Sequence, residues 1–159
     1  MSDYKQPFNV RKKNNTAELL FENKCAENHI RFIRYGLDQL NSGIPGNQFI
    51  TIEKMVRYTP DYIMFAKNTC FIEVKGCKDE LGMKLENIEY YGKWNEIMPL
   101  MYFFYSTTYN DYKFIKHDKF LNIAGGCEIK QYPDNNREYY CVPWEIIKWN
   151  TNVIYVIQK

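Results

Sequence analysis

The stretch TPDYIMFAKNTCFIEVKG, residues 59–76, is typical of two short β-strands joined by a tight turn. Bulky aliphatic and aromatic residues occupy both halves, and Asn68 is a residue that turns favour, so the pattern predicts the turn at residues 66–68. Apolar side chains fall on both faces of each strand, which indicates strands covered on both sides. We therefore expect a buried hairpin around which the rest of the chain folds.

Three charged residues, Asp61, Glu73 and Lys75, interrupt this apolar hairpin. Glu73 and Lys75 are two positions apart, so their side chains leave the same face of one strand. A three-residue loop would place Asp61 opposite Glu73 on that face, whereas a two-residue loop would pair Asp61 with Val74 and aim it away. A shared role for the three charges favours the three-residue loop or a bulge.

Neighbouring carboxylates in a buried hairpin repel each other and are costly to desolvate unless a cation lies between them. A hard divalent ion is the simplest remedy, since Mg²⁺ typically uses one or two carboxylates together with waters. A lysine beside such an ion can orient a water molecule or neutralise charge that builds up on a phosphate. The alternative hypothesis is a local ion pair, Glu73–Lys75 or Asp61–Lys75, that caps the hairpin.

Pro60 and Asp61, followed by Glu73, Val74 and Lys75, resemble the motif of the PD-(D/E)XK nuclease superfamily, which includes restriction enzymes, archaeal junction resolvases and phage nucleases. The resemblance implies a motif hairpin that follows a helix carrying a glutamate and precedes a helix and a further strand. It also implies Mg²⁺ or Mn²⁺ bound by Asp61, Glu73 and the backbone carbonyl of Val74, with Lys75 as the catalytic lysine.

A helix is predicted over residues 16–28, because Asn15 or Thr16 is a good N-cap and apolar residues recur at helical spacing. Glu18 and Glu22 project between its two apolar flanks. The resemblance favours Glu18 as the helix carboxylate of the site, acting on the metal through a water, with Glu22 as the second choice. Glu18 as a simple cap residue is the alternative.

Further elements follow from periodicity and from turn residues. We expect strands at 30–36, 49–52, 100–105, 112–116 and 153–157, a polar loop at 77–82, helices at 84–98 and 117–124, a hairpin over 128–132 and 138–142, and a short helix after Pro143. The strand after the second helix favours a parallel βαβ crossover with the motif strand. Basic residues that we expect to contact nucleic acid are Arg31, Arg34 and Lys93, the last of these beside Tyr90 on the second helix.

The predicted fold is a single α/β domain with a mixed central β-sheet flanked by helices, and the resemblance implies a restriction-endonuclease-like core of order αβββαβ. That core would span residues 15–105, and residues 106–159 would form a C-terminal extension that completes the sheet. Residues 1–14 end in a basic run and are interpreted as a flexible arm that touches phosphates or is simply solvated.

Composition narrows the classes of function. A chain of 159 residues with 45% hydrophobic and 25% charged residues is typical of one globular domain, and a net charge of +2 neither requires nor excludes nucleic acid. Five cysteines without CxxC spacing and two histidines argue against zinc and favour reduced thiols, with Cys25 and Cys70 in the core. Because no signal core or membrane-spanning run is present, we expect an intracellular, cytoplasmic protein.

These observations predict a metal-dependent deoxyribonuclease that hydrolyses DNA phosphodiester bonds. The resemblance implies a phage-type or junction-resolvase-like enzyme acting on branched or viral DNA, often as a homodimer. RNA is not excluded as the substrate. The alternative from another class is a non-catalytic module that uses the same fold to bind DNA or a protein partner.

Overall fold

The computed structural model describes residues 16–37 and 43–148. In chain order its elements are helix α1 (Thr16–Glu27), strand β1 (Arg31–Arg34), helices α2 (Gly46–Phe49) and α3 (Lys54–Arg57), strands β2 (Tyr62–Phe65), β3 (Thr69–Cys77) and β4 (Glu80–Lys84), helix α4 (Leu85–Ile97), strands β5 (Leu100–Ser106) and β6 (Asp111–Lys116), helix α5 (His117–Ala124), strands β7 (Glu128–Gln131) and β8 (Glu138–Pro143), and a 3₁₀ turn (Trp144–Ile146).

The motif hairpin has the predicted three-residue turn. In the antiparallel pairing of β2 with β3, Phe65 lies opposite Thr69 and Tyr62 opposite Ile72, which leaves residues 66–68 as the loop. Continuing this register by one pair brings Asp61 opposite Glu73. The two carboxyl-bearing residues therefore meet where β2 begins.

Within the described residues, five strands form a mixed sheet in the order β1-β2-β3-β5-β6. β3 and β5 are parallel, and the other neighbours in this sheet are antiparallel. The chain passes from β3 to β5 through β4 and α4, as parallel neighbours need a long connection. The predicted crossover after the motif strand is thus confirmed.

Helices cover both faces of the central sheet. On one face α1 contributes Ala17, Phe21 and Cys25, which lie four residues apart and pack with Tyr62, Met64, Ile72, Val74 and Phe103. The other face packs Phe71, Tyr102 and Phe104 against side chains from α4, α5 and the last strands. The chain is therefore a mixed α/β domain whose central sheet is flanked by helices, as predicted.

Residues 77–82 are not the predicted polar loop. β3 continues to Cys77, and β4 follows from Glu80, with Leu81 and Met83 buried and their neighbours more exposed. This period-two alternation is typical of a half-buried strand, but Asp79 and Gly82 favoured a loop. β4 pairs with β8 rather than with β3.

The C-terminal extension completes the central sheet only in part. β6 adds one edge strand to it, whereas β7 and β8 join β4 in a separate antiparallel sheet of three strands within the described residues. The predicted hairpin at 128–142 is confirmed, but its partner is β4. The prediction failed here because β4 had been taken for a loop, so the hairpin had no other strand to pair with.

The predicted strand at 49–52 is also wrong. Phe49 is the last residue of the short helix α2, and residues 50–52 form the turn after it. The amides of Phe49 and Ile50 donate to the carbonyls of Pro45 and Gly46 at 2.8 and 3.2 Å. Ile50 is 65% exposed, so its apolar run meets no sheet. Short apolar runs are ambiguous between helix and strand, and here local hydrogen bonds decide.

The remaining predictions on the described residues are confirmed with small shifts of their ends. They concern α1, β1, α4, β5, β6, α5 and the short turn after Pro143. Cys25 and Cys70 are buried and unbridged, as expected. The predicted arm at 1–14 and the strand at 153–157 lie outside the described residues. No helix in the described ranges is long and apolar enough to cross a bilayer.

Candidate active site

The residues that follow β1 hydrogen-bond to the backbone of Asp61. Its carbonyl accepts hydrogen bonds from the amides of Tyr35 and Gly36 at 2.9 and 3.1 Å. A Cβ added at Gly36 would lie 3.1 Å from the Cα of Asp61 and 3.2 Å from the carbonyl oxygen of Pro60. A glycine at position 36 therefore allows the chain leaving β1 to pack directly on the Pro60–Asp61 segment.

The Asp61 side chain faces the motif strand. Its Oδ2 accepts a hydrogen bond of 2.8 Å from the backbone N–H of Val74. The N–H and the C=O of a strand residue point to the same side of the strand, so the Val74 carbonyl also points towards Asp61. The carboxylate and this carbonyl, both predicted as metal ligands, are thus on the same side of β3.

Glu73 and Lys75 lie side by side on β3, as predicted from their spacing. Lys75 Nζ is 2.8 Å from Glu73 Oε1, and the Tyr91 hydroxyl of α4 donates a short hydrogen bond to the same oxygen. Glu73 is buried, with 5% of its surface exposed, whereas the Lys75 side chain is 23% exposed. Glu73 is therefore held by two donors, and the lysine still reaches solvent.

Burial and neighbouring charges shift the pKa values of the charged residues of the site to different extents. Burial and the neighbouring Glu73 carboxylate hold the pKa of Asp61 well above its ordinary value, which Lys75 and the Val74 N–H only partly offset. Burial pulls the pKa of Lys75 down, but the Glu73 and Asp61 carboxylates outweigh it and the net pKa is raised. Burial and Glu73 also raise the pKa of Tyr91 well above its ordinary value. At neutral pH Lys75 is an ammonium and Tyr91 a neutral donor.

These residues open onto one cavity of about 500 Å³. Asp61, Glu73, Lys75 and Tyr91 all line it. Its lining also includes Glu18 from α1, Arg57 at the end of α3 and Asn87 in the first turn of α4. The volume lies within the range of ligand pockets, ~300–1,000 Å³.

Glu18, and not Glu22, lines this cavity. Glu22 Oε1 accepts hydrogen bonds from Arg34 at 2.6 and 3.0 Å and from the Tyr62 hydroxyl at 2.8 Å, so it is already occupied by two residues of the fold. Glu18 Oε2 lies at a longer 3.3 Å from Arg34. The start of α1 also approaches the end of the motif strand, since a Cβ on Gly76 would lie 3.6 Å from that of Ala17.

The three basic residues predicted to contact nucleic acid lie in different places. Arg34 lines the cavity but is bound to Glu18 and Glu22. Arg31 lies opposite Phe65, at the turn end of the hairpin, while Arg34 lies opposite Tyr62 at the site end. Lys93 is on the exposed side of α4, 3.1 Å from Glu89 and over the ring of Tyr90. Only Arg34 of the three is positioned to reach a ligand in this cavity.

In the described residues, no group of three or more His, Cys, Asp or Glu side chains is arranged to hold a metal ion. The carboxylates that line the cavity are those of Glu18, Asp61 and Glu73, and the Val74 carbonyl lies on the Asp61 side of β3. A hard cation such as Mg²⁺ usually keeps several waters and takes one or two carboxylates, so this donor set fits it.

Several residues of the cavity were not predicted from sequence, among them Tyr91, Arg57 and Asn87. The helical pattern admitted Tyr91 or Tyr90 as a core residue of α4, and Tyr90 was named beside Lys93. Tyr90 instead stacks on Tyr58, with ring centroids 4.9 Å apart. Helical phase places Asn87 and Tyr91 on one side, four residues apart, and this was the available signal. No sequence signal pointed to Arg57, because α3 was not predicted.

No protein-family model and no curated protein matches the chain.

Proposed function

We propose that the protein is a metal-dependent nuclease that hydrolyses DNA phosphodiester bonds, with Asp61, Glu73 and Lys75 at its centre. The observation that carries this proposal is the convergence of the three side chains on one polar cavity, with Asp61 facing both Glu73 and the backbone of Val74. The simpler hypothesis of a capping ion pair accounts for Glu73 and Lys75. It leaves unexplained why a second carboxylate, disfavoured in its charged form, lies beside them.

The order of elements supports membership of the PD-(D/E)XK superfamily. α1, β1, β2, β3, α4 and β5 follow in the order that the resemblance implies, with the short helices α2 and α3 inserted after β1 and the strand β4 before α4. The central sheet has β1, β2, β3 and β5 as consecutive neighbours. Under this proposal β4, β7 and β8 form an addition to a restriction-endonuclease-like core.

Each residue of the site has a distinct role in the proposed reaction. Asp61, Glu73 and the Val74 carbonyl would hold Mg²⁺ or Mn²⁺, which would polarise the phosphate and lower the pKa of a bound water. Lys75, which stays protonated, orients that water and stabilises the charge that develops on the phosphoryl oxygens. Tyr91 fixes the orientation of Glu73 through its hydroxyl. Water adds to phosphorus and releases a proton to the solvent, and the bond to the leaving oxygen breaks as that oxygen takes up a proton.

Glu18 would act on the metal through a water molecule, whereas Glu22 would contribute to stability. Substitutions at the two positions should therefore have different effects. We expect Glu18→Gln to lower the rate of cleavage by about 10- to 100-fold, in the range of other residues that act on a metal through its outer shell, while the melting temperature changes little. Glu22→Gln should instead lower the melting temperature, because it weakens hydrogen bonds from Arg34 and Tyr62. Thermal melts and cleavage rates of both variants check this. The reverse pattern would assign the helix carboxylate to Glu22.

The experiment that tests the function uses plasmid, linear duplex, single-stranded and four-way-junction DNA, with a single-stranded RNA beside them. Each is incubated with the protein in Mg²⁺, in Mn²⁺ and in chelator. We expect cleavage of at least one DNA form that requires the metal, and branched or single-stranded forms are favoured because the site lies in a concave cavity. Cleavage of RNA alone would change the substrate class. Binding without cleavage in either metal would support the non-catalytic module.

The proposed DNA substrate also suggests where the protein acts and in which oligomeric state. We propose that the protein acts in the cytoplasm, in an infected host cell if it is phage-encoded, and that a homodimer would suit a branched substrate.

A further inference from the structure

The cavity has a second polar wall that the proposed chemistry does not use. Arg57, the last residue of α3, and Asn87, in the first turn of α4, both line it. Arg57 Nε and Asn87 Oδ1 are buried, and neither has a hydrogen-bond partner in the part of the chain that the structure describes. Buried polar atoms without partners are rare in folded proteins, and a missing ligand is one of the few physical reasons for them.

Arg57 is also a cation without a counterion. Across residues 16–37 and 43–148 it forms no ion pair, whereas Arg34 in the same cavity is paired with Glu18 and Glu22, and Lys75 is paired with Glu73. Arg57 is partly buried with its Nε shielded from solvent, and a partly desolvated charge without a partner costs stability. The described fold therefore keeps in this wall a positive donor that an anion from outside could satisfy.

Phosphate is the anion that suits this position best. The planar guanidinium presents several donors in a fork that matches phosphate oxygens. Asn87 lines the same cavity with an unpartnered acceptor, which a phosphate cannot satisfy but an N–H or O–H donor of a base or sugar can. One nucleotide carries both kinds of group, so a single ligand would satisfy both unpartnered atoms.

We propose that Arg57 binds a phosphate next to the scissile one on the substrate strand, and that Asn87 accepts a hydrogen bond from the base or sugar of the same nucleotide. This inference rests on the proposed function for its ligand, a nucleic-acid strand. It assigns to α3, in the segment between β1 and β2, the role of holding the strand near Asp61, Glu73 and Lys75. Arg57 is thus a binding residue, distinct from the metal ligands.

The test compares Arg57→Met with Arg31→Met. Methionine keeps an apolar stem in place of each arginine and removes its charge. Arg31 was predicted from sequence to contact nucleic acid, but the structure places it exposed at the turn end of the hairpin and outside the cavity lining, so it serves as the control. A labelled 12-nucleotide DNA single strand is titrated by fluorescence anisotropy in Ca²⁺, over a series of salt concentrations, and each variant is melted in parallel.

We expect Arg57→Met to weaken binding about 10- to 100-fold, the usual loss for a charged hydrogen bond, and to reduce the salt slope by about 0.7. Its melting temperature should equal or exceed that of the wild type, because no protein contact is lost. Arg31→Met should bind within about twofold of the wild type, as expected for a residue outside the interface. If Arg57→Met binds as tightly as Arg31→Met, or melts several degrees below it, the inference is wrong.

These outcomes separate the inference from the proposed function, because affinity is measured without cleavage. Wild-type protein that binds the strand through Arg57 but cuts no nucleic acid in Mg²⁺ or Mn²⁺ would contradict only the nuclease proposal. Metal-dependent cleavage with an Arg57→Met affinity equal to that of Arg31→Met would contradict only the inference.

Discussion

Lys75→Ala is expected to reduce the rate of DNA cleavage by ~10²–10³-fold, the usual loss when one preorganised charge stabiliser is removed. The lysine lies 2.8 Å from Glu73, and its pKa is raised, so it acts as a fixed ammonium rather than as a base. DNA affinity should change by only a small factor, because one charge among several contacts is lost. Band-shift assays in Ca²⁺ report binding, and Mg²⁺ assays report turnover.

Two further variants sharpen this prediction. Lys119→Ala, on the exposed side of α5, removes the same charge far along the chain from the motif and should leave turnover unchanged. Lys75→Arg should restore little activity, since a planar fork replaces a compact ammonium beside Glu73. If Lys75→Ala abolishes binding together with cleavage, or if it cleaves like Lys119→Ala, Lys75 is not the catalytic lysine.

Asp61→Asn is expected to abolish metal-dependent cleavage while making the metal-free protein more stable. Loss of a metal ligand removes the several kcal/mol of charge stabilisation that the ion supplies, so the rate should fall by at least ~10³-fold. The asparagine can still accept the hydrogen bond from the Val74 N–H. Because it is neutral, it avoids both the cost of burying a charged carboxylate and the repulsion between that carboxylate and Glu73. A gain of about 1 kcal/mol would raise the melting temperature by ~2–4 °C in a chain of this length.

The dependence on pH follows from the raised pKa of Asp61. Between the unfolded and folded pKa values the folded state binds more protons, so the stability of the metal-free wild type should fall as the pH rises from about 4 through that window. Asp61→Asn should lack this fall. Metal at 100 times its Kd should add ~2.7 kcal/mol to the wild type and almost nothing to the variant. A variant that melts below the wild type without metal would contradict the assignment.

The sequence was sufficient to predict the core of the fold because its main elements carry strong local patterns. The hairpin of β2 and β3 combines apolar strands with a turn residue, and its charges select the register that the structure adopts. Helix α4 and strand β5 were equally clear. The proximity of Asp61 to Glu73 followed from this register alone, since opposite residues on one face must meet.

What could not be predicted depends on contacts between segments distant in sequence. Strand β4 has only a short apolar alternation, and its pairing with β8 requires a partner 60 residues away. Arg57 enters the cavity because α3 packs there, and no local pattern shows which side chain of a short helix faces inward. The hydrogen bonds of Glu22 to Arg34 and Tyr62 are likewise visible only in the fold.

The central claim is that Asp61 and Glu73 share one divalent cation, and anomalous diffraction from a crystal soaked in Mn²⁺ tests it most directly. We predict an anomalous peak within ~2.0–2.6 Å of an oxygen of each carboxylate, with the Val74 carbonyl beside it. A crystal of Asp61→Asn treated in the same way should show no such peak. Carboxylates of the wild type that turn to opposite faces of the hairpin, or a cavity without an anomalous peak at saturating Mn²⁺, would contradict the claim.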